Sequence, residues 1–199
     1  MVKRLFDITF SAVGLVLLFP VFAAAAILIK IDTDGPVFFI QKRVGRNFKV
    51  FNIYKFRTMI METSYQGLPI TVGNDSRITK IGEFLRKTKI DELPQLFNVL
   101  KGDMSFVGPR PEVEKYVDLY REEYREILKL MPGITDIASL TYSNESEILN
   151  GKDNPEKYYT DVILPHKITF AEEYVKKASF LFDLKLILLT IYKIWSKPQ

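Results

Sequence analysis

The sequence contains no cysteine and a single histidine, His166. Without cysteine there are no disulfide bonds and no metal sites built from thiolates. One histidine also excludes a metal site with several imidazole ligands. Because His166 follows Pro165, a surface residue is a better interpretation than a catalytic base. The chemistry of this chain therefore has to be sought among its carboxylates and its cationic side chains.

Internal repeats and low-complexity tracts are also absent from the 199 residues. A chain of this length suits one compact domain with at most one membrane element. The formal net charge of +4 suits an anionic membrane surface and anionic substrates. The charge does not single out nucleic acid, and we expect no nucleic-acid partner.

Charged residues are missing from positions 8–29. A straight helix of that length would be about 33 Å long, which is enough to cross the hydrocarbon core of a bilayer. Three interpretations compete. The segment is a signal peptide cleaved near its run of four alanines, a straight transmembrane helix, or a re-entrant helix broken at Pro20.

The charges that flank this segment favour the re-entrant helix. Lys3 and Arg4 precede it, and the cationic residues that follow are Lys30, Lys42, Arg43, Arg46 and Lys49. The positive-inside rule therefore puts both ends in the cytoplasm. A helix that spans the bilayer cannot meet that requirement, whereas a re-entrant helix can.

A β-hairpin is predicted after the apolar segment. Residues 37–40 and 48–56 are rich in β-branched and aromatic side chains, and Gly45-Arg46-Asn47 between them predicts a turn. With a period of two, Lys55 and Arg57 share one face of the second strand as a small cationic pair. A solvated surface is an equally good explanation of this pair. Residues 62–79 are polar and rich in turn residues, which predicts a loop.

Asp91 and Glu92 stand directly before an apolar helical run. Leucine and phenylalanine recur there at intervals of three and four residues, at Leu93, Leu96, Phe97 and Leu100. Pro94 is tolerated only in the first turn, so we predict Asp91 at or next to the N-cap and Glu92 at the helix start. This position suits an ionised nucleophile or a ligand of a hard divalent cation. An ordinary capping aspartate beside an exposed glutamate would look the same.

Arg110 lies between Pro109 and Pro111, after a loop with two glycines. The two prolines restrict the backbone, so the root of the arginine is held rigidly. A rigid guanidinium is suited to clamping a phosphate through two hydrogen bonds. A surface arginine in a proline turn is the alternative.

These motifs together resemble a known family, the bacterial sugar transferases, which are monotopic polyprenyl-phosphate phosphoglycosyl transferases. The stretches that carry the resemblance are Tyr54-Lys55-Phe56-Arg57-Thr58-Met59, Asp91-Glu92-Leu93-Pro94-Gln95-Leu96, Gly102-Asp103-Met104-Ser105-Phe106-Val107-Gly108-Pro109-Arg110-Pro111 and Pro132-Gly133-Ile134-Thr135. The resemblance extends from the apolar N-terminus to about Lys193.

The resemblance implies transfer of a sugar 1-phosphate from a nucleoside-diphosphate sugar, expected to be UDP-linked, to a polyprenyl phosphate. Asp91 is implied as the nucleophile of a covalent intermediate, and Asp91 with Glu92 as the site of Mg²⁺. Glu92 is the second catalytic residue that we expect, with a role in proton transfer. The substrate-binding residues implied are Arg86, Arg110, Lys55, Arg57 and Asp183. We expect Asp183 to pair with an active-site arginine or to contact the metal's ligands, because an unpaired buried carboxylate is costly.

This chain departs from the family pattern at two places. The family breaks its re-entrant helix at Ser-Pro, whereas this chain has Phe19-Pro20, so Thr9 or Ser11 would have to supply the hydroxyl. Many relatives carry arginine and asparagine where this chain has Ser143-Asn144. A phosphate or nucleotide contact is then missing, so the donor nucleotide stays open.

The fold predicted is α+β: a mostly helical, membrane-associated domain with a small β-hairpin, an N-terminal re-entrant membrane helix and interfacial amphipathic helices. We divide the chain into a membrane hairpin, residues 1–31, and a catalytic domain on the membrane surface, residues 32–199. The location predicted is the cytoplasmic face of the bacterial inner membrane. A homo-oligomer is among the arrangements left open. The competing functions are a non-catalytic membrane-attached scaffold and an exported protein with a cleaved leader.

Overall fold

The protein is helix-rich, with two small sheets of two strands each. The computed structural model describes residues 2–61, 70–73 and 75–196. Residues 62–69 and 74 of the predicted loop lie outside that description. The α-helices are α1 Val2–Leu17, α2 Phe19–Asp32, α3 Lys80–Lys87, α4 Gln95–Lys101, α5 Glu114–Leu119, α6 Arg121–Ile127, α7 Ile137–Thr141, α8 Glu145–Leu149, α9 Pro155–Tyr158, α10 Leu164–Lys177 and α11 Phe180–Ser196. The strands are β1 Phe38–Val44, β2 Val50–Phe56, β3 Ser105–Val107 and β4 Gly133–Thr135.

The N-terminal apolar segment forms two helices rather than one. The axis bends by 59° between α1 and α2. Pro20 lies in the first turn of α2 and has no N–H for the carbonyl of Val16, so the helical ladder is interrupted there. The predicted role of Ser11 at this break is wrong, because its hydroxyl donates to the carbonyl of Ile8 in its own helix, at 3.1 Å.

In the described part of the chain, no single helix is both long and apolar enough to cross a bilayer. Only α1 and α2 taken together reach the required length and composition.

The predicted β-hairpin is confirmed. β1 and β2 pair antiparallel from Phe38 opposite Phe56 to Val44 opposite Val50. The turn begins at Gly45, whose N–H donates to the carbonyl of Lys49 at 2.9 Å. β1 extends four residues beyond the predicted residues 37–40, so the hairpin is longer than the apolar run indicates.

A second sheet, which the sequence did not indicate, holds the segment before Arg110. β3 and β4 pair parallel, with Ser105 opposite Gly133. The two backbones approach so closely at Gly108 and Gly133 that a Cβ on Gly133 would lie 2.1 Å from the nitrogen of Gly108. Only glycine fits such an approach. This contact places the Pro109-Arg110-Pro111 segment against β4.

The segment after Pro111 forms two short helices, α5 and α6, which are divided at Tyr120. The hydroxyl of Tyr120 donates to the carbonyl of Thr160 at 2.9 Å. Helix α4 starts at Gln95 instead of Glu92, and residues Ile90–Glu92 form a 3₁₀ turn before it. Because Pro94 lacks an N–H, the chain tightens to bonds three residues apart, such as Leu93 N–H to the carbonyl of Ile90.

The largest hydrophobic core lies among α5, α6, α8 and α10, where Tyr116, Leu149 and Tyr159 are fully buried. A π-helical turn, Tyr159–Ile163, connects α9 to α10. The turn lies directly before Pro165, which has no N–H to donate to the carbonyl of Asp161. A smaller core joins α2 to β2 and α3 through Ala25, Phe56 and Leu85.

Candidate active site

Three chain segments bring cationic side chains to the Asp91-Glu92 pair. The pair lies in the 3₁₀ turn that precedes α4. Lys55 comes from β2, Arg86 from the last turn of α3, and Arg110 from the segment held by the parallel sheet. These residues lie far apart in the sequence, so the tertiary fold assembles the cluster.

Glu92 is the centre of the charge network. Its Oε1 accepts hydrogen bonds from Nζ of Lys55, at 2.9 Å, and from a terminal nitrogen of Arg110. Its Oε2 accepts from the other terminal nitrogen of Arg110, at 3.3 Å. Burial alone would raise the pKa of Glu92, but Arg110 and Lys55 outweigh it and hold that pKa well below its usual value. Glu92 is therefore ionised at neutral pH.

Arg110 is positioned by its backbone as well as by its side chain. Its backbone N–H donates to Oδ2 of Asp136 at 3.1 Å, and Oδ1 of Asp136 caps α7 by accepting from the N–H of Ser139. The Glu92 carboxylate raises the pKa of Arg110. The guanidinium is about a third exposed and is more accessible to solvent than the ammonium group of Lys55. It can reach an incoming phosphate without leaving its anchored backbone.

Lys55 lies deeper than Arg110. It stands opposite Phe39 in the hairpin, and its ammonium group contacts Glu92. Burial lowers the pKa of Lys55, while the charge of Glu92 opposes that shift. The negative charge of Glu92 therefore favours the charged form of the ammonium group.

Asp91 has surroundings opposite to those of Glu92. Its residue is 8% exposed, and its Oδ1 has no hydrogen-bond partner among the described residues. Burial and the adjacent charge of Glu92 raise the pKa of Asp91, and Lys55, Lys89 and Arg86 oppose the shift. A buried carboxylate oxygen with free lone pairs is available for bonding to an electrophile or a cation.

Arg86 lies near the pair without a hydrogen bond to it. Its Nε donates to the hydroxyl of Thr58 at 2.8 Å. Its charge interacts favourably with that of Asp91 across the intervening space. Arg86 therefore adds positive potential where Asp91 faces, and the Thr58 hydroxyl orients it.

Arg57 is engaged elsewhere. It lies one residue beyond the end of β2, and its guanidinium donates to the carbonyls of Thr33, Asp34 and Pro36 at 2.7–2.8 Å. The predicted cationic pair with Lys55 is therefore wrong. Arg57 braces the chain between α2 and β1, and this geometry gives its predicted contact with substrate no support.

Asp183 pairs with a lysine instead of an active-site arginine. Its carboxylate accepts from Nζ of Lys3 and from the hydroxyl of Tyr174, the latter at 2.6 Å. The expected arginine partner is therefore wrong. The sequence pattern around Asp183 predicts an apolar helix. It does not predict that Lys3, in the N-terminal helix, supplies the cation that pairs with Asp183.

Lys89 and Gln95 lie close in the chain to the Asp91-Glu92 pair, but the sequence analysis did not identify either as a candidate site residue. Lys89 begins the 3₁₀ turn with a positive φ of 59°, and its charge lowers the pKa of both Asp91 and Glu92. The run of basic residues from Arg86 to Lys89 was the available signal. Gln95 is 1% exposed, and no local pattern distinguishes it from an exposed helix residue.

A site for Mg²⁺ needs oxygen ligands, of which the protein itself has to supply only one or two carboxylates. In the described residues, no three or more acidic, histidine or cysteine side chains cluster in a way that could hold a metal ion. Asp91 has a free oxygen, and Oε2 of Glu92 accepts a single bond. This donor set fits Mg²⁺, which takes one or two carboxylates and completes its shell with water and substrate phosphates.

Comparison with known proteins shows that the chain is similar to sugar transferases along nearly its whole length. The family model described as "Bacterial sugar transferase" matches residues 1–197. The chain is 38% identical over 194 residues to "Uncharacterized sugar transferase EpsL" of Bacillus subtilis, covering 96% of this chain and 86% of that protein.

Two longer relatives have names that state an activity. The chain is 41% identical to the "UDP-N-acetylgalactosamine-undecaprenyl-phosphate N-acetylgalactosaminephosphotransferase" of Aeromonas hydrophila, over 79% of this chain and 38% of that protein. It is 36% identical to the "UDP-glucose:undecaprenyl-phosphate glucose-1-phosphate transferase" of Escherichia coli, over 97% of this chain and 40% of that protein. The chain thus spans about two fifths of the length of these two relatives.

Proposed function

The chain belongs to the bacterial sugar transferase family, and from that premise we propose that it transfers a sugar 1-phosphate from a nucleoside-diphosphate sugar to a polyprenyl phosphate. A UDP-linked donor is the first choice, because the names of the Aeromonas and Escherichia relatives specify one. This reaction would be the first membrane step in the assembly of a polysaccharide or another glycoconjugate.

The observation that carries the proposal is the contrast between the two neighbouring carboxylates. Glu92 is neutralised by Lys55 and Arg110, whereas Asp91 keeps an unpartnered oxygen in the same buried cluster. Cations that surround a free carboxylate attract an anionic phosphate and lower the repulsion between the two. This arrangement supports nucleophilic attack on phosphorus.

In the first step, an oxygen of Asp91 attacks the phosphorus that carries the sugar. The bond from that phosphorus to the bridging oxygen breaks, and the electron pair leaves with the nucleoside monophosphate. In the second step, a phosphate oxygen of the lipid attacks the same phosphorus. The acyl phosphate bond breaks, and Asp91 regains its carboxylate.

Arg110 and Lys55 hold the phosphates through this sequence. Without substrate, both cations bind Glu92. A diphosphate offers more acceptor oxygens than one carboxylate, so it shares these donors and releases part of Glu92. Mg²⁺, when bound by Asp91 and Glu92, would spread negative charge away from the phosphate oxygens. Arg86 supplies further positive potential at Asp91.

The N-terminal helices support a re-entrant membrane segment. Lys3 of α1 is bound to Asp183, and Asp7 accepts from the Ser105 hydroxyl at 3.1 Å. At the other end, Ala25 and Ile29 of α2 pack in the core beneath β2 and α3. Both ends of the bent pair therefore rest on the same domain, while its apex is apolar and exposed, with Val16, Leu17 and Phe19 each about 70% accessible.

Helix α11 supports attachment at the membrane surface. Its inner side buries Asp183 and Leu186. Its outer side exposes Leu188, Tyr192 and Trp195. An apolar face with aromatic residues suits the boundary between lipid and water. Together with the positive flanks of residues 8–29, this face supports our proposal that the domain lies on the cytoplasmic side of the inner membrane.

The deciding experiment is incubation of the detergent-solubilised or vesicle-bound protein with a panel of sugar nucleotides and a polyprenyl phosphate. We expect release of nucleoside monophosphate with at least one donor and formation of a lipid-linked sugar diphosphate. Asp91→Asn should abolish both products. A wild-type protein that releases none with any donor of the panel would refute the proposed activity.

A further inference from the structure

Gln95 is a buried amide for which the described protein atoms provide no partner. The residue is 1% exposed, and neither its amide nitrogen nor its amide oxygen makes a hydrogen bond. Burying an unpartnered amide costs free energy, and a buried apolar side chain of the same size would not incur that cost. Almost all buried polar groups in folded proteins have partners. The amide of Gln95 therefore has a role other than stabilising the folded protein.

The location of Gln95 connects it to Asp91. Residues Ile90–Glu92 form a 3₁₀ turn, and Leu93 and Pro94 continue with helical backbone angles into α4. Gln95 follows Asp91 by four residues and Glu92 by three, a spacing that brings side chains to one side of a helical segment. The unpartnered Oδ1 of Asp91 and the unpartnered amide of Gln95 therefore lie within about one helical turn of each other along the chain.

We propose that Gln95 is a catalytic residue that contacts the phosphoryl group during its transfer. Its Nε2 donates a hydrogen bond to a non-bridging oxygen of the phosphoryl group as that group bonds to Asp91. This inference rests on the proposed function, because it requires a phosphoryl group at Asp91.

The electrostatics of the cluster favour the amide nitrogen as the contacting atom. Asp91 and Glu92 both accept, and a phosphoryl group adds further acceptor oxygens. Lys55 and Arg110 are already shared with Glu92. A neutral donor on the Asp91 side stabilises charge as it develops, without adding an ion pair to the free enzyme.

Asn98, in the same helix, is the matched control. It is fully buried, but its amide is satisfied: Nδ2 donates to the carbonyl of Asn52 at 2.7 Å, and Oδ1 accepts from the N–H of Tyr54 at 3.1 Å. Asn98 is thus a structural amide that joins α4 to β2. Asn98→Leu should lower the melting temperature, because it leaves two backbone groups without partners.

Gln95→Met tests the proposal directly. Methionine has nearly the same length and shape but no donor. We expect a melting temperature equal to or above that of the wild type. We also expect nucleoside monophosphate release in the single turnover that donor alone supports to slow about 10²-fold, and in the full reaction with lipid acceptor we expect kcat to fall more than KM rises. Unchanged turnover in Gln95→Met would overturn the proposal. So would a loss of activity that only follows a loss of folded protein, as in Asn98→Leu.

Gln95→Glu separates the two atoms of the amide. Glutamate keeps the oxygen ligand and removes the donor, so we expect a loss at least as large as in Gln95→Met, not restored by raising Mg²⁺. Recovered turnover with tighter Mg²⁺ binding, measured by calorimetry, would assign the oxygen instead and overturn the donor role. If wild-type protein releases no nucleoside monophosphate with any donor of the panel, the proposed function fails and the Gln95 role fails with it. If wild-type protein releases nucleoside monophosphate and the variants match its rate, only the Gln95 role fails.

Discussion

At the scale of single residues, the fold gives two adjacent carboxylates opposite properties. Arg110 and Lys55 lower the pKa of Glu92, whereas burial and the charge of Glu92 raise that of Asp91. Neighbouring acidic groups whose pKa values are separated in this way commonly have different chemical tasks. The proposed division of work assigns bond formation to Asp91 and charge management to Glu92.

The first prediction separates these tasks by mass spectrometry. Asp91→Asn keeps the shape of the side chain and removes its charge, so incubation with the sugar nucleotide alone should give no covalent adduct. Glu92→Gln should slow turnover about 10²-fold but leave a trace of adduct, since the nucleophile is intact. An adduct on Asp91→Asn in intact-mass analysis would contradict the covalent mechanism.

The second prediction concerns pH. Attack requires ionised Asp91, so kcat/KM should fall as the pH decreases through the pKa of Asp91, which is raised above the ordinary aspartate value. Glu92→Gln removes a neighbouring negative charge that raises the pKa of Asp91 and leaves Lys55, Lys89 and Arg86 to lower it. The acidic limb should then move to lower pH. A limb that stays in place or moves upward in the pH profile would show that another group controls it.

At the scale of secondary structure elements, α1 and α2 form a wedge. Their lengths of about 24 and 21 Å and the bend of 59° put the apex about 11 Å from the line that joins the outer ends. That depth lies within one leaflet of a hydrocarbon core about 30 Å thick. The anchored ends and the exposed apolar apex are both consistent with insertion from one side.

The third prediction tests this insertion by cysteine labelling, which is clean because the chain has no native cysteine. Val2→Cys and Lys152→Cys should both be protected from an impermeant maleimide in intact spheroplasts and labelled after permeabilisation. Leu17→Cys, at the apex, should stay protected in the presence of lipid. Labelling of Val2→Cys from outside would place the N-terminus across the membrane and rule out the re-entrant arrangement.

At the scale of the whole molecule, the N-terminal helices and the rest of the chain share contacts. Lys3 reaches Asp183 in the last helix, Arg4 donates to the carbonyl of Val99 at 2.6 Å, and Ala25 packs with Phe56. The predicted division at residue 31 stays a prediction, but these contacts cross it. These contacts therefore fix the position of the N-terminal helices relative to the proposed active site. Such a fixed arrangement suits a substrate whose phosphate lies at the bilayer surface.

The fourth prediction concerns divalent cations. Excess chelator should abolish turnover, and added Mg²⁺ should restore it, because the phosphate charge then lacks a hard cation. The melting temperature should change little, since no cluster of three or more potential metal-binding side chains occurs in the described part of the chain. Full turnover in excess chelator would refute the metal role of Asp91 and Glu92.

Local chemistry made several features of this protein predictable. The hairpin follows from two β-prone runs around a glycine turn, and α4 follows from the spacing of its apolar residues. The uncharged N-terminal segment, broken at Pro20, indicated a bent helix pair. The Asp91-Glu92 pair before α4 was visible as a candidate site. These features depend on residues a few positions apart, which is the range over which periodicity and turn chemistry act.

The tertiary structure alone decided which charges meet. Lys55 and Glu92 are 37 positions apart, and Lys3 and Asp183 are 180 apart. Arg57 turns to backbone carbonyls that only the packed loop presents. Gln95 is buried in α4, a helix that packs against α1 and β2. The sequence determined which ionisable groups exist and on which elements they lie. Packing determined which of them lose water and which gain a partner, and these two effects separate the proposed nucleophile from its neighbour.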